Sequence, residues 1–190
     1  MTARLAGYLS SAAPDQNVAL HKNSNGEFVP RAPDEVVADL NDLVLDEMET
    51  EHYFTLLLAF LELETGRMIL SQAGHPHPAF QRVSGEIEMI GTGGFPVGLL
   101  SGVRFDKFEL TLARGDRMLI LSDGVAECPG PDDTMLDEDG LTLLMQDLST
   151  KRGPAFLEAM IWRLTEFNGS EDFPDDVSAI LFEYQGLDAT

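Results

Sequence analysis

Apolar positions along the chain follow two spacings, one helical and one of strand length. Residues 2–13 (TARLAGYLSSAA) read as a short helix of small residues, closed by Pro14. Residues 14–32, with Asn17, Asn23, Asn25, Gly26 and Pro30, read as a polar connection. Pro33 suits a first helical turn, and Asp34 and Glu35 sit where the helix dipole is positive. Val36, Val37, Leu40, Leu43 and Val44 then recur on one face, which predicts a helix ending near Met48.

The period changes after that. Phe54 to Leu63 is almost continuously apolar, Thr65-Gly66 is a turn, and Arg67 to Ala73 returns as a strand. Ala79–Val83 and Glu86–Ile90 flank Ser84-Gly85 as two short strands. A glycine-rich loop, Gly91 to Pro96, precedes a strand over 103–112, and Arg114-Gly115-Asp116 turns into a strand over 117–122. Amphipathic helices follow at about 138–148 and 154–167, and a last strand at 177–184. The run Phe54–Leu61 shows no alternation, so both of its faces are expected to be covered. One face on a second sheet and the other on helices gives an α+β fold, a β-sandwich with helices outside it in α/β/β/α layers.

Composition narrows the function classes. At 190 residues the chain fits one domain, expected to span residues 1–186 with a tail at 187–190. Twelve basic against 33 acidic residues leave a net charge of −21, which repels phosphate backbones and anionic lipid. Nucleic acid and membrane surfaces are therefore poor partners unless a metal ion intervenes, and neither is expected. No apolar run approaches the ~20 residues of a membrane span. The single cysteine, Cys128, excludes an internal disulfide framework and a thiolate zinc cage, and a cytoplasmic setting is expected.

Two acidic sites stand at strand ends. Asp123 follows the apolar Met118-Leu119-Ile120-Leu121 and precedes Gly124; Asp175-Asp176 immediately precedes Val177-Ser178-Ala179-Ile180-Leu181. Such carboxylates supply either turn caps or part of a hard-cation site. In Gly74-His75-Pro76-His77-Pro78 the prolines impose extended geometry, so the two histidines point apart and do not chelate together. Gly91-Thr92-Gly93-Gly94 lacks the Lys-Ser/Thr and the following helix of a phosphate loop. The acidic run Asp132, Asp133, Asp137, Glu138, Asp139 does not match a calcium-binding loop. Ser122 has no suitably placed histidine to serve as a nucleophile.

Together, several motifs in order resemble the SpoIIE/RsbU-type branch of the PPM (PP2C-like) protein phosphatases. They are Asp34–Leu45 with its Leu40-Asn41 step, Phe54-Thr55-Leu56-Leu57 leading to Glu64-Thr65-Gly66, and Ala73-Gly74-His75-Pro76. Phe95-Pro96-Val97-Gly98-Leu99, Gly115-Asp116-Arg117-Met118, Ser122-Asp123-Gly124-Val125-Ala126-Glu127 and Asp175-Asp176-Val177-Ser178 continue the order. The resemblance implies a PPM sandwich and a metal-dependent serine/threonine phosphatase using two Mn²⁺ or Mg²⁺ ions. Asp123 and Asp175 would be its catalytic metal ligands, with Asp176 a further one. The implied substrate is a phosphorylated regulator of the anti-anti-sigma type. The family's Gly-Asp and Asp-x-Ser-Gly-His-Gly steps do not precede Met1, so the chain is expected to begin inside the domain, without its opening strands. It then stands as a fragment, a mis-started frame or a pseudo-enzyme. Alone it is expected to hydrolyse substrate near background and to self-associate through an open sheet edge. A non-catalytic partner-binding module in sigma-factor or two-component signalling is the alternative.

Overall fold

A computed structural model describes residues 7–10, 12–47, 52–131 and 134–187. The chain divides into two compact units, residues 1–62, 67–75 and 92–110 in the first, and 63–66, 76–91 and 111–190 in the second. Half of the helix expected over 2–13 falls outside the described residues; of the rest, Gly7 and Tyr8 are helical, while residues 9, 10, 12 and 13 are not, so the helix does not reach Pro14.

In the first unit the supposed connection holds structure of its own. A 3₁₀ turn at Pro14–Gln16 leads into an antiparallel hairpin, β1 (Leu20–Lys22) and β2 (Phe28–Pro30). Its turn is organised by Asn23, whose Oδ1 accepts the amides of Asn25 (2.9 Å) and Glu27 (3.0 Å). Strands of three residues are too short to show a period, which is why the sequence reads there as loop. Helix α1 (Pro33–Glu47) follows as expected.

The buried stripe of α1 is Val36, Val37, Leu40, Asn41 and Val44, so a polar residue replaces the predicted Leu43. Asn41 is 1% exposed. Its Nδ2 donates to the Leu100 carbonyl (3.0 Å) and its Oδ1 accepts the Gly98 amide (2.9 Å). Gly98 has φ +84°, and a Cβ there would lie 2.6 Å from Val44 Cγ1, so the loop packs directly on the helix. The core of this unit joins the stripe to Ala73, Val97 and Phe105.

Helix α1 also contacts a three-stranded sheet of order β3-β4-β7, formed by β3 (Leu56–Leu61), β4 (Arg67–Ala73) and β7 (Lys107–Thr111). β3 and β4 are antiparallel with Leu56 opposite Ala73. The expectation that β3 is covered on both faces fails, since Ala59 is exposed and Phe60 is 39% exposed. The position in the sheet explains it. β3 stands at the end of the order, whereas β4 has a neighbour on each side and buries Leu70, Ser71, Gln72 and Ala73.

The second unit is built on a four-stranded antiparallel sheet of order β6-β5-β8-β9: β5 (Ala79–Gln81), β6 (Ile87–Met89), β8 (Arg117–Leu121) and β9 (Ala179–Glu183). Its helices are α2 (Asp123–Ala126), α3 (Asp137–Asp147) and α4 (Gly153–Asn168). Leu119, Leu121 and Ala79 of the sheet close a core with Leu141, Met145, Phe156, Met160 and Leu164 of α3 and α4.

Two buried charges hold this unit together. Asp116 is 0% exposed; its carboxylate accepts the amides of Val83 and Ala113 (both 2.8 Å) and the Arg82 guanidinium (3.1 Å). Arg117 is 2% exposed and lies opposite Glu183 in the β8–β9 register. Its Nε donates to Gln81 Oε1 (2.6 Å), Nη1 to the Lys151 carbonyl (2.8 Å) and Nη2 to the Leu148 carbonyl (3.4 Å). The guanidinium also stacks on Phe156, 4.5 Å from the ring centroid. Leu148 closes α3, so the cation lies at the negative end of that helix dipole. Glu183 does the converse, accepting the amide of Gly153 (2.9 Å) at the start of α4. Burial lowers the Arg117 pKa, with Arg152 adding to the effect and Glu183 opposing it. A guanidinium stays protonated under such a shift.

Two substitutions test this account. Arg117→Met keeps the apolar bulk but strips Gln81 and two carbonyls of their donor, and is expected to cost about 2–3 kcal/mol in urea denaturation. Asn41→Leu leaves the Gly98 amide and Leu100 carbonyl unpaired and is expected to cost about 1–3 kcal/mol by the same measurement. A change under ~0.5 kcal/mol in either would show that water replaces the lost bonds.

Candidate functional site

The segments that carry Asp123 and Asp175-Asp176 adjoin at one end of the second unit's sheet. Strands β8 and β9 run antiparallel, so the C-terminal end of β8 lies beside the N-terminal end of β9, with Leu121 opposite Ala179. Asp123 leaves the first of these ends and Asp175-Asp176 approach the second. Antiparallel pairing thus brings two acidic backbone segments, about fifty residues apart in sequence, side by side.

Local structure then sets each segment. Ser122 is extended (φ −74°, ψ 162°) and α2 begins at Asp123. Asp123 Oδ1 accepts the amide of Gly124 (3.1 Å), and Asp175 Oδ1 accepts the amide of Asp176 (2.7 Å). The three carboxylates are exposed, while Gly124 and Val125 beneath them are buried. Gly124 is required by space, since a Cβ there would lie 2.6 Å from the Asp176 carbonyl oxygen. The backbone of the Asp123 turn therefore touches the backbone of the Asp175–Asp176 loop. Ser122, considered from sequence only as a nucleophile, spans the same junction. Its Oγ donates to the Asp176 carbonyl (2.7 Å) and accepts the Ser178 amide (2.9 Å). Nothing in the sequence pattern shows this role, because both partners are backbone groups more than fifty residues away.

An all-oxygen donor set suits a hard divalent cation, and Mg²⁺ is typically held by one or two carboxylates with water completing its shell. Asp123 and Asp175, one from each segment, offer oxygen donors of that kind, and Asp176 stands beside them in sequence. Among the described residues there is no group of three or more His, Cys, Asp or Glu side chains placed to hold a metal.

The other candidates are engaged elsewhere. His77 Nδ1 pairs with Glu138 Oε1 of α3 at 2.5 Å, a contact with no sequence signal. The His75 carbonyl accepts Gln72 Nε2. In the glycine-rich loop the amides of Thr92 (3.1 Å) and Gly93 (2.8 Å) donate to Gln72 Oε1, so a buried side chain uses the donors that a phosphate would need. Cys128 is buried and burial pushes its thiol pKa up, away from thiolate chemistry. Asp132 and Asp133 lie outside the described residues. Asp137 caps α3 by accepting the amides of Asp139 (2.9 Å) and Gly140 (3.0 Å).

Comparison with known proteins bears on the family and the fold. The family model for stage II sporulation protein E (SpoIIE) matches residues 1–185. Phosphoserine phosphatase RsbP of Bacillus subtilis (strain 168) is 26% identical over 88 residues, which cover 46% of this chain and 22% of that protein. The chain thus spans a minor part of that relative. Among solved structures, the PP2C domain of SiaA from Pseudomonas aeruginosa superimposes with a TM-score of 0.72 at 14% identity, over 97% of this chain and 71% of that one. The phosphatase domain of the cell fate determinant SpoIIE from Bacillus subtilis, presoaked with Mn, gives a TM-score of 0.64 at 15% identity, over 82% of this chain and 66% of that one. These likenesses give the chain the PP2C-like fold, an α+β fold of antiparallel sheets and helices. No helix among the described residues is long and apolar enough to cross a membrane. The match over nearly the whole chain places this protein in the SpoIIE family of PP2C-like phosphatase domains.

Proposed function

We propose that this chain is the phosphatase domain of a bacterial signalling regulator and removes phosphate from phosphoserine or phosphothreonine on a partner protein of the anti-anti-sigma type. Residues 1–186 act as one domain in this reading, in the cytoplasm. The observation that carries it is the meeting of the Asp123 turn and the Asp175–Asp176 loop at one sheet end. Asp123 and Asp175 would hold a divalent cation there, with Asp176 beside them. When bound, Mn²⁺ or Mg²⁺ supplies Lewis-acid stabilisation of the phosphoryl oxygens and acidifies water for in-line attack. The Mn presoak recorded for the SpoIIE phosphatase domain is consistent with that choice.

The reaction is hydrolysis: a P–O bond forms to water, the P–O bond to the serine oxygen breaks, and the proton passes to the departing alkoxide. The chain's own contribution is placement. Exposed carboxylates on two short backbone segments can approach an ion without unfolding anything beneath them. A cation at this end also offsets the net charge of −21, which otherwise repels a phosphorylated substrate. The opposing reading is a partner-binding module without catalysis. It draws support from the lack of a three-ligand group among the described residues.

Assays of the full-length gene product on a phosphoserine peptide, with and without Mn²⁺, separate the two. Phosphate release is expected to depend on Mn²⁺ and to fall about 100-fold in Asp123→Asn and Asp175→Asn, while His75→Ala and Cys128→Ser leave it unchanged. Release that is insensitive to both aspartate substitutions would overturn the site, and absence of release with retained peptide binding would favour the binding module.

A further inference from the structure

The strand pair β8–β9 ends unusually. At its last regular rung Leu121 faces Ala179. One step on, the Ser122 amide still donates to the Ser178 carbonyl (2.9 Å), as a ladder requires. The reciprocal bond is missing, because the Ser122 carbonyl has turned to accept the Val125 amide (3.1 Å) and start α2. The Ser178 amide donates to Ser122 Oγ instead (2.9 Å). A side-chain hydroxyl thus takes over the acceptor role that the backbone gives up when strand becomes helix.

The hydroxyl has one proton to donate, and it goes to the Asp176 carbonyl (2.7 Å). That same carbonyl oxygen lies against Gly124, where a Cβ would approach to 2.6 Å. Of the two residues flanking Asp123 in sequence, Ser122 thus bonds the Asp176 carbonyl and Gly124 leaves it room. The Asp175 carboxylate, for its part, reaches only the neighbouring Asp176 amide (2.7 Å) among the bonds of the described residues.

Building on the metal-site reading above, we propose that Ser122 is a positioning residue: its hydroxyl locks the Asp175–Asp176 loop to the Asp123 turn and thereby sets the spacing of the carboxylates for a divalent cation. The hydroxyl touches neither substrate nor ion. It acts through the two loops. Its partners are backbone groups in a partly exposed setting, so water replaces them when the hydroxyl is removed, and the fold survives. What water does not supply is a fixed distance between the loops. Removing the hydroxyl should thus weaken ion binding far more than it weakens the fold.

The test is a titration of the full chain with Mn²⁺ alone, read as paramagnetic broadening of the amide signals of Gly124 and Val177. Thermal melting and hydrogen exchange of the Ser178 amide are followed in parallel. In Ser122→Ala the apparent Mn²⁺ affinity is expected to fall about tenfold and the Ser178 amide to exchange faster, with the melting temperature nearly unchanged. Ser122→Thr keeps the hydroxyl and is expected to restore both affinity and protection. Unchanged affinity in Ser122→Ala, while Asp123→Asn weakens binding, would overturn the positioning role and leave the metal site standing. A melting temperature that falls in step with affinity, restored by neither measure in Ser122→Thr, would reduce Ser122 to a structural residue. Broadening that Asp123→Asn does not alter would overturn the metal-site reading, and this inference with it.

Discussion

The antiparallel pairing of β8 with β9 is the constraint from which the second unit follows. One end of the pair is an anchor and the other an outlet. At the anchor, Arg117 and Glu183 face each other, and each charge serves a helix terminus of opposite polarity, α3 for the cation and α4 for the carboxylate. At the outlet, five rungs away, the strands release Asp123 and receive Asp175-Asp176. The pair carries apolar side chains in between, with Leu119 and Leu121 in the core under both helices. The acidic residues can stay in water because the bonds that join their two segments are made by backbone groups and the Ser122 hydroxyl.

A guanidinium is well suited to the anchor. It needs several acceptors arranged in a plane, and Gln81, Leu148 and Lys151 provide them with Phe156 beneath. A buried charge of this kind is costly to desolvate, and its hydrogen bonds and the helix dipole offset that cost. Asp116, next to it in sequence, is satisfied in the same manner by two amides and Arg82. The Gly115-Asp116-Arg117-Met118 step that marks the family resemblance is therefore, in this chain, a piece of scaffold.

Much of this was legible in the sequence. Helix α1 and the helices α3 and α4 follow from apolar spacing and helix-start residues, and β4 was read to its final bounds, because long periodic segments carry their own signal. The hairpin of β1 and β2 leaves no such signal because its strands are three residues long and mostly exposed. The burial of β3 was overestimated because hydrophobicity does not reveal a strand's place in the sheet order. At the site, the carboxylates Asp123, Asp175 and Asp176 stood out by position at strand ends. The bonding roles of Ser122 there, and of Gln72 and Asn41 in the first unit, have no such signal, since each acts on backbone groups brought close only by the fold. Side-chain-to-backbone bonds leave almost no trace in a single sequence.

The short ladder between β8 and β9 also decides where the chain tolerates a change of length. Strand side chains alternate faces with each residue and advance about 3.4 Å per step. One residue inserted between Ser178 and Glu183 would turn every following side chain to the opposite face. Glu183 would leave α4, or Ser178 would leave Ser122, since the five-rung register cannot serve both ends at once. The connection over residues 169–174, mostly exposed and preceding both contacts, is free of that requirement. Natural variation in length should therefore accumulate before Asp175 and stop there, giving the last ten residues of the sheet region the rigidity of a ruler between a helix start and an acidic loop.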